Sequence, residues 1–274
     1  MSRELAGRAV VVTGAGAGLG RSYALACSAA GAMVVVNDVV GENAARVVDE
    51  ITAAGASAAA HVGTVGTWDG AGEAVATALE KFGRLDGLVA NAGVKHEALP
   101  WEESEASLRR IHEVNVLGVQ FCGVHAMRAM VDAGRGGAIV TVVSGARLGI
   151  PLMSAYGATK GAVAAMTTGW AVDGAPHRIR ANAISPLAET AMAATDHRSD
   201  RAPLGSPDDV APLVVALLSD ATAGVSGRTL RYDGSTLGEY EVPPLQRLPR
   251  AHAQGRPTAQ ALAEILARSR RTSS

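Results

Sequence analysis

The chain has 274 residues, a net charge of −1 and no long basic block in its main part, which argues against a nucleic-acid-binding function. Hydrophobic residues make up 48% of the sequence, enough for a sizeable core, and 32 glycines are typical of short turns between buried strands. With only two cysteines, no signal-peptide pattern and no apolar run of membrane-spanning length, we expect a cytoplasmic protein without a membrane span. The seven histidines lack the spacing of metal ligands, so no metal site is expected.

The first predicted strand, residues 8–13, leads into a glycine-rich turn over residues 13–20, and a helical pattern follows from Arg21. Glycines at such a turn let the backbone approach a pyrophosphate group closely, and the N-terminus of the next helix faces the anion. Strand, turn and helix together predict a dinucleotide-binding site, with a tight turn between two core elements as the alternative.

The second predicted strand, residues 33–38, ends in Asp38, about 20 residues after the glycines. An acid at this position binds the ribose hydroxyls of NAD and repels the 2′-phosphate of NADP. Because no arginine or lysine lies in the turn or directly after Asp38, the sequence predicts NAD as the cofactor. The alternative is that Asp38 caps the helix that begins near Glu42.

Short apolar runs and helical patterns alternate along the rest of the chain. Further strands are predicted near residues 57–62, 86–90, 137–143, 179–184 and 228–232, and helices near residues 18–30, 41–54, 69–82, 104–133, 154–174 and 207–219. This order predicts an α/β fold with a single Rossmann-like, doubly wound parallel sheet of about seven strands and helices on both faces. We expect one domain over residues 1–242, extended by a basic C-terminal tail over residues 243–274 with a short amphipathic helix.

Tyr156 and Lys160 lie one helical turn apart in the run SAYGATKG, so their side chains share a face of the predicted helix. The chain has three lysines against 22 arginines, which suggests that a compact ammonium group is required at this point. An ammonium near a phenol favours the phenolate and lowers the pKa of the phenol. The pair is therefore a candidate acid/base, with an ordinary surface tyrosine and lysine as the alternative.

Other polar motifs accompany this pair. They are Asn91 and Gly93 after the fourth predicted strand, Asn115 in the long predicted helix, and Ser144 at the end of the fifth strand. Together with the glycine-rich turn and the tyrosine–lysine pair, these motifs resemble the short-chain dehydrogenase/reductase family in their order and spacing, over essentially the whole chain.

The resemblance implies a catalytic set of Asn115, Ser144, Tyr156 and Lys160. Tyr156 would exchange a proton with the substrate oxygen, which Ser144 would orient. Lys160 would lower the pKa of Tyr156 and bind the nicotinamide ribose, and Asn115 would hold a water in a proton relay. Ser144 as a turn residue and Asn115 as a packing residue are the alternatives. The implied contacts to NAD are Gly14, Gly18, Leu19, Gly20, Asp38, Asn91, Gly93, Tyr156, Lys160, Pro186 and Thr190.

The chain departs from the family pattern at three places. Gly66 stands where the family often has an acid that binds the adenine amino group, and backbone groups of residues 65–67 would replace that contact. The usual Pro-Gly after the sixth strand reads Pro186-Leu187, and the spacing from serine to tyrosine is one residue shorter than the commonest form. Residues 187–207, a polar segment after the sixth strand, form the predicted substrate lid.

Within the family, the chain most resembles the (3R)-hydroxyacyl-CoA dehydrogenase part of peroxisomal multifunctional enzyme type 2 and its bacterial relatives. The matching stretches are residues 12–21, 34–38 and 210–214, and a basic tail has a counterpart there. The expected activity is NAD-dependent interconversion of a secondary alcohol and a ketone in lipid metabolism, on a 3-hydroxyacyl-CoA-type substrate. A hydroxysteroid or another bulky alcohol is the alternative substrate. The apolar positions that suit either substrate are Leu148, Ile150, Pro151, Leu152 and Met153.

Two alternatives lack this activity: a catalytically silent NAD-binding sensor and an accessory subunit of a hetero-oligomer. The intact Ser144, Tyr156 and Lys160 argue against both, because a protein that only binds NAD needs no acid/base. The family also implies a homotetramer, or else a dimer, that acts on a small-molecule substrate.

Overall fold

The computed structural model describes residues 3–188, 205–241 and 258–269. The strands are β1 (Ala9–Thr13), β2 (Met33–Asp38), β3 (Ala58–Val62), β4 (Gly87–Ala90), β5 (Gly137–Val142), β6 (Ile179–Pro186), β7 (Thr229–Tyr232) and β8 (Leu237–Glu239). The α-helices are α1 (Gly18–Ala29), α2 (Gly41–Ala53), α3 (Trp68–Phe82), α4 (Glu105–His112), α5 (Val119–Ala133), α6 (Ser154–Gly174), α7 (Pro207–Leu218) and α8 (Ala259–Ser269). Residues 1–240 form one compact unit, and residues 241–274, which include α8, form a second unit.

A single eight-stranded sheet in the order β3-β2-β1-β4-β5-β6-β7-β8 forms the centre of the first unit. Strands β1 to β7 pair in parallel; Val11 of β1, for example, lies between Val35 of β2 and Leu88 of β4. The predicted fold class, a Rossmann-like doubly wound sheet, is confirmed. The structure adds β8, which pairs with β7 in the antiparallel direction. All three residues of β8 are exposed, so it has no apolar alternation from which a strand could be predicted.

Both faces of the central strands are buried, because successive residues of each of these strands enter opposite cores. Val10 and Val12 belong to the core that α1, α2 and α7 cover, whereas Val11 belongs to the core that α3, α5 and α6 cover. Cys27 and Cys122 are free thiols, one in each core. Fully apolar strands of this kind are what a parallel sheet between two helix layers requires.

A π-helical segment, Glu113–Gly118, separates α4 from α5. The predicted regular helix over residues 104–133 is therefore wrong in its middle. Asn115 lies in this segment and is fully buried, and its side-chain amide hydrogen-bonds the backbone of Val94. Wider turns of this type are common at functional sites, where a side chain has to leave the α-helical register to reach a distant partner.

One helical run in the described part of the chain, Glu105–Ala133, is long and apolar enough to cross a membrane by length and composition alone. Val119, Ala126 and Met130 of this run are buried in the core against the sheet. The core helix of a globular domain has the same composition, so this run is weak evidence for a membrane span.

The carboxyl ends of the parallel strands meet at one edge of the sheet, where open α/β folds bind their ligands. Asp38 ends β2, Asn91 directly follows β4, Ser144 lies two residues beyond β5, and Pro186 ends β6. Residues that are far apart in the sequence are thereby brought to one edge.

Candidate active site

A cavity of about 1210 Å³ opens at this edge of the sheet. Asn115 lies behind the cavity wall, and Thr190 and most of the predicted lid lie outside the described residues. At the two ends of the predicted lid, Ala188 pairs with Gly205. The predicted site residues that line the cavity are Gly14, Gly18, Leu19, Gly20, Asp38, Asn91, Gly93, Ser144, Tyr156, Lys160 and Pro186.

The glycine-rich turn closes so tightly that two of its glycines leave no room for a side chain. Gly14 has a φ of +61°, and a Cβ atom at Gly20 would overlap the carbonyl oxygen of Gly14. Asn91 donates from Nδ2 to the carbonyl oxygens of Thr13 (2.9 Å) and Gly14 (3.2 Å), which holds the turn against β4. Helix α1 begins at Gly18, and its first backbone N–H groups are available for an anion in the cavity.

Asp38 lies beside the turn and also orders it. Its carboxylate accepts hydrogen bonds from the backbone N–H groups of Gly16 (2.9 Å) and Val40 (2.9 Å). Each carboxylate oxygen keeps a further lone pair that can accept from a ribose hydroxyl. Arg46 of α2 donates to the carbonyl oxygen of Gly16 (2.8 Å) and pairs with Glu50, so this cation is bonded to groups behind the turn.

The cavity fits a dinucleotide and a substrate together. Its volume of about 1210 Å³ exceeds the range of about 300–1,000 Å³ that is usual for a single small ligand. Gly93 keeps the wall open, because a Cβ atom there would lie 3.2 Å from Asn115 Oδ1 and 3.6 Å from Lys160 Nζ. The tight glycine-rich turn, the acid at the end of β2 and the open wall beside the lysine are the features that a nicotinamide dinucleotide needs.

Ser144, Tyr156 and Lys160 meet on one wall of the cavity. Ser144 Oγ accepts from the backbone N–H of Ala146 (3.2 Å), and its hydroxyl group acts to lower the pKa of Tyr156. Lys160 Nζ lies 5.6 Å from the centre of the Tyr156 ring and donates to the carbonyl oxygen of Val142 (2.8 Å). Two hydroxyl groups and one ammonium group therefore face the same space.

Burial, rather than the nearby ammonium, dominates the pKa of Tyr156 in the polypeptide alone. Burial raises the pKa of the phenol to about 12, and the hydrogen bond with Ser144 opposes this increase only in part. Burial also lowers the pKa of Lys160 to about 8. Desolvation of the phenol thus outweighs its hydrogen bond with Ser144, and the lowering of the Tyr156 pKa by Lys160 stays a prediction.

Because Lys160 is buried, we expect its ionisation to make the free energy of unfolding depend on pH. The variant Lys160→Met should lack this contribution. The folded chain releases the Lys160 proton near pH 8 and the unfolded chain near 10.5, because burial lowers the pKa. Between these values the unfolded state binds more protons, so the wild type gains stability relative to Lys160→Met as the pH rises, by roughly 3 kcal/mol in total. Urea unfolding of both proteins from pH 7 to 10.5 measures this gain. A difference that stays constant across the interval would contradict the burial of a charged ammonium.

Asn115 is tied to two neighbours through its side chain. Oδ1 accepts from the backbone N–H of Val94 (2.8 Å), and Nδ2 donates to the carbonyl oxygen of Val94 (2.8 Å) and to Thr159 Oγ1 (3.2 Å). Both N–H groups of the amide are thus in use, so a water bound by Asn115 would have to donate to one of its oxygens. The role of Asn115 in a proton relay stays a prediction.

The wall beyond β3 differs from the predicted one. Val65, one of the three predicted residues, lines the cavity there together with Gly63 and Thr64, whereas Gly66 and Thr67 do not. Glu113 also lines the cavity, and a Cβ atom at Gly66 would lie 3.4 Å from Glu113 Oε1. The carboxylate of Glu113 thus lies beside Gly66, where the family often has an acid. Glu113 belongs to the π-helical segment, so its approach to Gly66 could not be predicted from spacing along the sequence.

On the side of Ser144, Ile150 and Met153 line the cavity, whereas Leu148 and Leu152 are exposed. Arg231 of β7 also lines the cavity and was not among the predicted site residues. No local signal marks Arg231, because a charged residue at every second position of a strand is the ordinary pattern of an exposed face.

Comparisons with known proteins agree with this fold. The short chain dehydrogenase family matches residues 8–201. The chain is 39% identical to the cis-4-hydroxycyclohexanecarboxylate dehydrogenase of Sinomonas cyclohexanicum, over 85% of this chain and 98% of that protein. A short chain dehydrogenase from Mycobacterium avium has a crystal structure with a TM-score of 0.85, 34% identity and coverage of 96% of both chains. A 7α-hydroxysteroid dehydrogenase complexed with NADH and 7-oxo glycochenodeoxycholic acid has a TM-score of 0.78 and 32% identity, covering 84% of this chain and 94% of its own.

The fold and the site define a Rossmann-like oxidoreductase. The chain belongs to the short chain dehydrogenase family, and the predicted family membership is confirmed. The finer resemblance to multifunctional enzyme type 2 stays a prediction.

Proposed function

We propose that this protein is an NAD-dependent dehydrogenase that interconverts a secondary alcohol and a ketone. The observation that carries the proposal is the convergence of Ser144, Tyr156 and Lys160 on one wall of a cavity that also contains the glycine-rich turn. When bound, NAD⁺ would supply the redox chemistry as the hydride acceptor. The chain itself has to bind the alcohol, orient its oxygen and manage one proton.

Ser144 and Tyr156 offer two hydroxyl groups to the substrate oxygen. Tyr156 takes the hydroxyl proton when the alcohol is oxidised and returns it when the ketone is reduced. Since burial raises the pKa of Tyr156 to about 12, the phenol is protonated at neutral pH, which is the form that ketone reduction needs. Alcohol oxidation needs the phenolate, and the ammonium group of Lys160 is the nearby cation that would stabilise it.

Asp38 supports NAD rather than NADP as the cofactor. It lines the cavity at the end of β2, where its charge would repel a 2′-phosphate. Arg46, the cation next to the turn, donates to the carbonyl oxygen of Gly16 and pairs with Glu50. The solved structure of the 7α-hydroxysteroid dehydrogenase, which is complexed with NADH, is consistent with this assignment.

A cyclic secondary alcohol is the substrate that the available similarities support first. The relative from Sinomonas cyclohexanicum is named for a hydroxycyclohexanecarboxylate, and the solved neighbour for a hydroxysteroid. Ile150 and Met153 provide an apolar wall that suits a ring. The 3-hydroxyacyl-CoA substrate stays the second candidate, since the motifs around the cofactor also resemble that group of enzymes.

The homotetramer or dimer and the cytoplasmic location stay predictions. Ala158 and Ala165 of α6 are exposed in the single chain, so they are available for a close helix contact between subunits.

The test is NADH formation with NAD⁺ and four alcohols: cis-4-hydroxycyclohexanecarboxylate, a 7α-hydroxysteroid, and the two enantiomers of 3-hydroxybutyryl-CoA. We expect turnover of at least one cyclic alcohol, with NAD⁺ preferred over NADP⁺. Turnover of a CoA thioester alone would keep the mechanism and move the substrate to the second candidate. Tight NAD⁺ binding without turnover of any alcohol would overturn the proposal in favour of a sensor or an accessory subunit.

A further inference from the structure

Three side chains from three elements form a cluster beside Ser144, which we call the arginine–tyrosine cluster: Arg147, Arg231 and Tyr240. Arg231 Nη1 donates to Tyr240 Oη (3.1 Å), and the guanidinium carbon of Arg147 lies 4.7 Å from the centre of the Tyr240 ring. A Cβ atom at Gly145 would lie 3.2 Å from Tyr240 Oη and 3.5 Å from Arg231 Nη1. The cluster therefore borders the residue that directly follows Ser144.

Strand alternation directs Arg231 into the cavity. Leu230 is buried in the core under α1, α2 and α7, so its neighbour Arg231 lies on the opposite face of β7 and lines the cavity. The unpredicted strand β8 supplies the third member, because its antiparallel pairing with β7 is continued by a hydrogen bond from Tyr240 N to Thr229 O (2.8 Å). The hydroxyl of Tyr240 accepts a hydrogen bond from Arg231, and the ring of Tyr240 stacks against the guanidinium group of Arg147.

Within the described part of the chain, Arg231 is exposed and makes no ion pair. Arg228, three residues earlier, is bound by Glu239. Arg147 Nε is buried and has no hydrogen-bond partner among the described residues. Among the described residues, neither guanidinium group of the cluster thus has a carboxylate partner, and the one that lines the cavity wall is that of Arg231. A planar guanidinium binds a carboxylate through two parallel hydrogen bonds.

The cluster lies too far from the glycine-rich turn to bind the cofactor pyrophosphate. Four strand spacings separate β1 from β7 in the order β1-β4-β5-β6-β7, which amounts to roughly 19 Å. Ser144, in contrast, follows β5 and is the residue next to Gly145. An anion bound at Arg231 would therefore belong to the substrate side of the cavity.

We propose that Arg231, positioned by Tyr240, binds a carboxylate of the substrate while Ser144 and Tyr156 bind its hydroxyl group. The substrate class is then a secondary alcohol that carries a carboxylate on the far side of the molecule. This inference deepens the proposed function and rests on it for the place of the hydroxyl group. The phosphates of a CoA thioester are the other source of negative charge, and the experiment separates the two.

The variant Arg231→Gln removes the charge and keeps much of the side-chain volume. We expect its kcat/KM for cis-4-hydroxycyclohexanecarboxylate to fall about 10- to 100-fold, mainly through KM, and to fall far less for the methyl ester of the same compound. Arg228→Gln is the matched control, because Arg228 is paired with Glu239 and does not line the cavity. We expect this control to behave as the wild type with both compounds. If Arg231→Gln instead lowered kcat/KM only for 3-hydroxybutyryl-CoA, the proposal that Arg231 binds a carboxylate would be overturned.

A binding measurement keeps the inference testable if no alcohol is turned over. Calorimetry with cyclohexanecarboxylate and with cyclohexanecarboxamide, in the presence of NAD⁺, reports the anion site without chemistry. We expect the wild type to bind the carboxylate more tightly than the carboxamide. In Arg231→Gln the ratio of the two affinities should fall about 10-fold or more. Equal carboxylate affinity of the wild type and Arg231→Gln would overturn the inference. If the wild type turned over no alcohol but still preferred the carboxylate to the carboxamide, and Arg231→Gln lost this preference, only the proposed function would be contradicted.

Discussion

Replacing Tyr156 with phenylalanine lowers kcat about 10²- to 10⁴-fold with the preferred alcohol, while the affinity for NAD⁺ changes little. The phenol is the group that exchanges a proton with the substrate oxygen, and phenylalanine keeps the ring but cannot accept or donate that proton. Ser144 remains to orient the oxygen, and the turn of residues 13–20 is untouched. Steady-state kinetics, together with fluorescence titration of NADH, separates the lost proton transfer from cofactor binding.

Tyr23→Phe is the matched control for this variant. Tyr23 is fully buried in the core, and its hydroxyl has no hydrogen-bond partner among the described residues. Removing that hydroxyl should leave kcat as in the wild type and should not lower the free energy of unfolding, because a buried polar group without a partner is costly. If Tyr156→Phe kept the kcat of the wild type, another group would have to be the acid/base.

Replacing Asp38 with asparagine shifts the ratio of kcat/KM for NAD⁺ over NADP⁺ by about 10²-fold towards NADP⁺. The variant removes the negative charge that would repel a 2′-phosphate, and it weakens the hydrogen bonds that the side chain accepts from ribose hydroxyls. Asparagine keeps one side-chain oxygen that can accept from the backbone of Gly16, where Asp38 now accepts at 2.9 Å. The measurement is the pair of kcat/KM values, with thermal unfolding to verify that the turn is intact.

Asp49→Asn controls for the change in net charge. Asp49 is an exposed residue of α2 that does not line the cavity, so its replacement should leave the cofactor preference unchanged. An Asp38→Asn variant that still rejected NADP⁺ as strongly as the wild type would show that another feature of the site selects the cofactor. Glu113, the other acid of the cavity wall, would then be the next residue to replace.

Local patterns were enough to predict the order of β1 to β7 and the eleven predicted site residues that line the cavity. The burial of β1 follows from its run of valines, and the turn after it follows from glycines within a few residues of each other. Tyr156 and Lys160 share one face because a helical turn relates them, whatever the rest of the fold does. Asp38 could likewise be placed, because it ends a strand at a fixed distance from the turn.

Contacts between distant parts of the chain decided the remaining features of the site. The side chain of Asn115 hydrogen-bonds Val94 and Thr159. Asn115 lies in a π-helical segment, and the hydrophobic pattern of the sequence does not predict that segment. The pKa of Tyr156 rises to about 12 because surrounding elements exclude water from the phenol. This burial could not be predicted from the spacing between Tyr156 and Lys160 in the sequence.

Arg231 provides the clearest division between the two kinds of information. Its place in a strand follows from local sequence, but its place in the cavity depends on the pairing of β7 with β6 and β8 and on the approach of Gly145. Hydrophobic periodicity reports which side of an element is buried, since that is a property of neighbouring residues. It does not report what lies opposite, because the packing of distant elements is set by the whole chain.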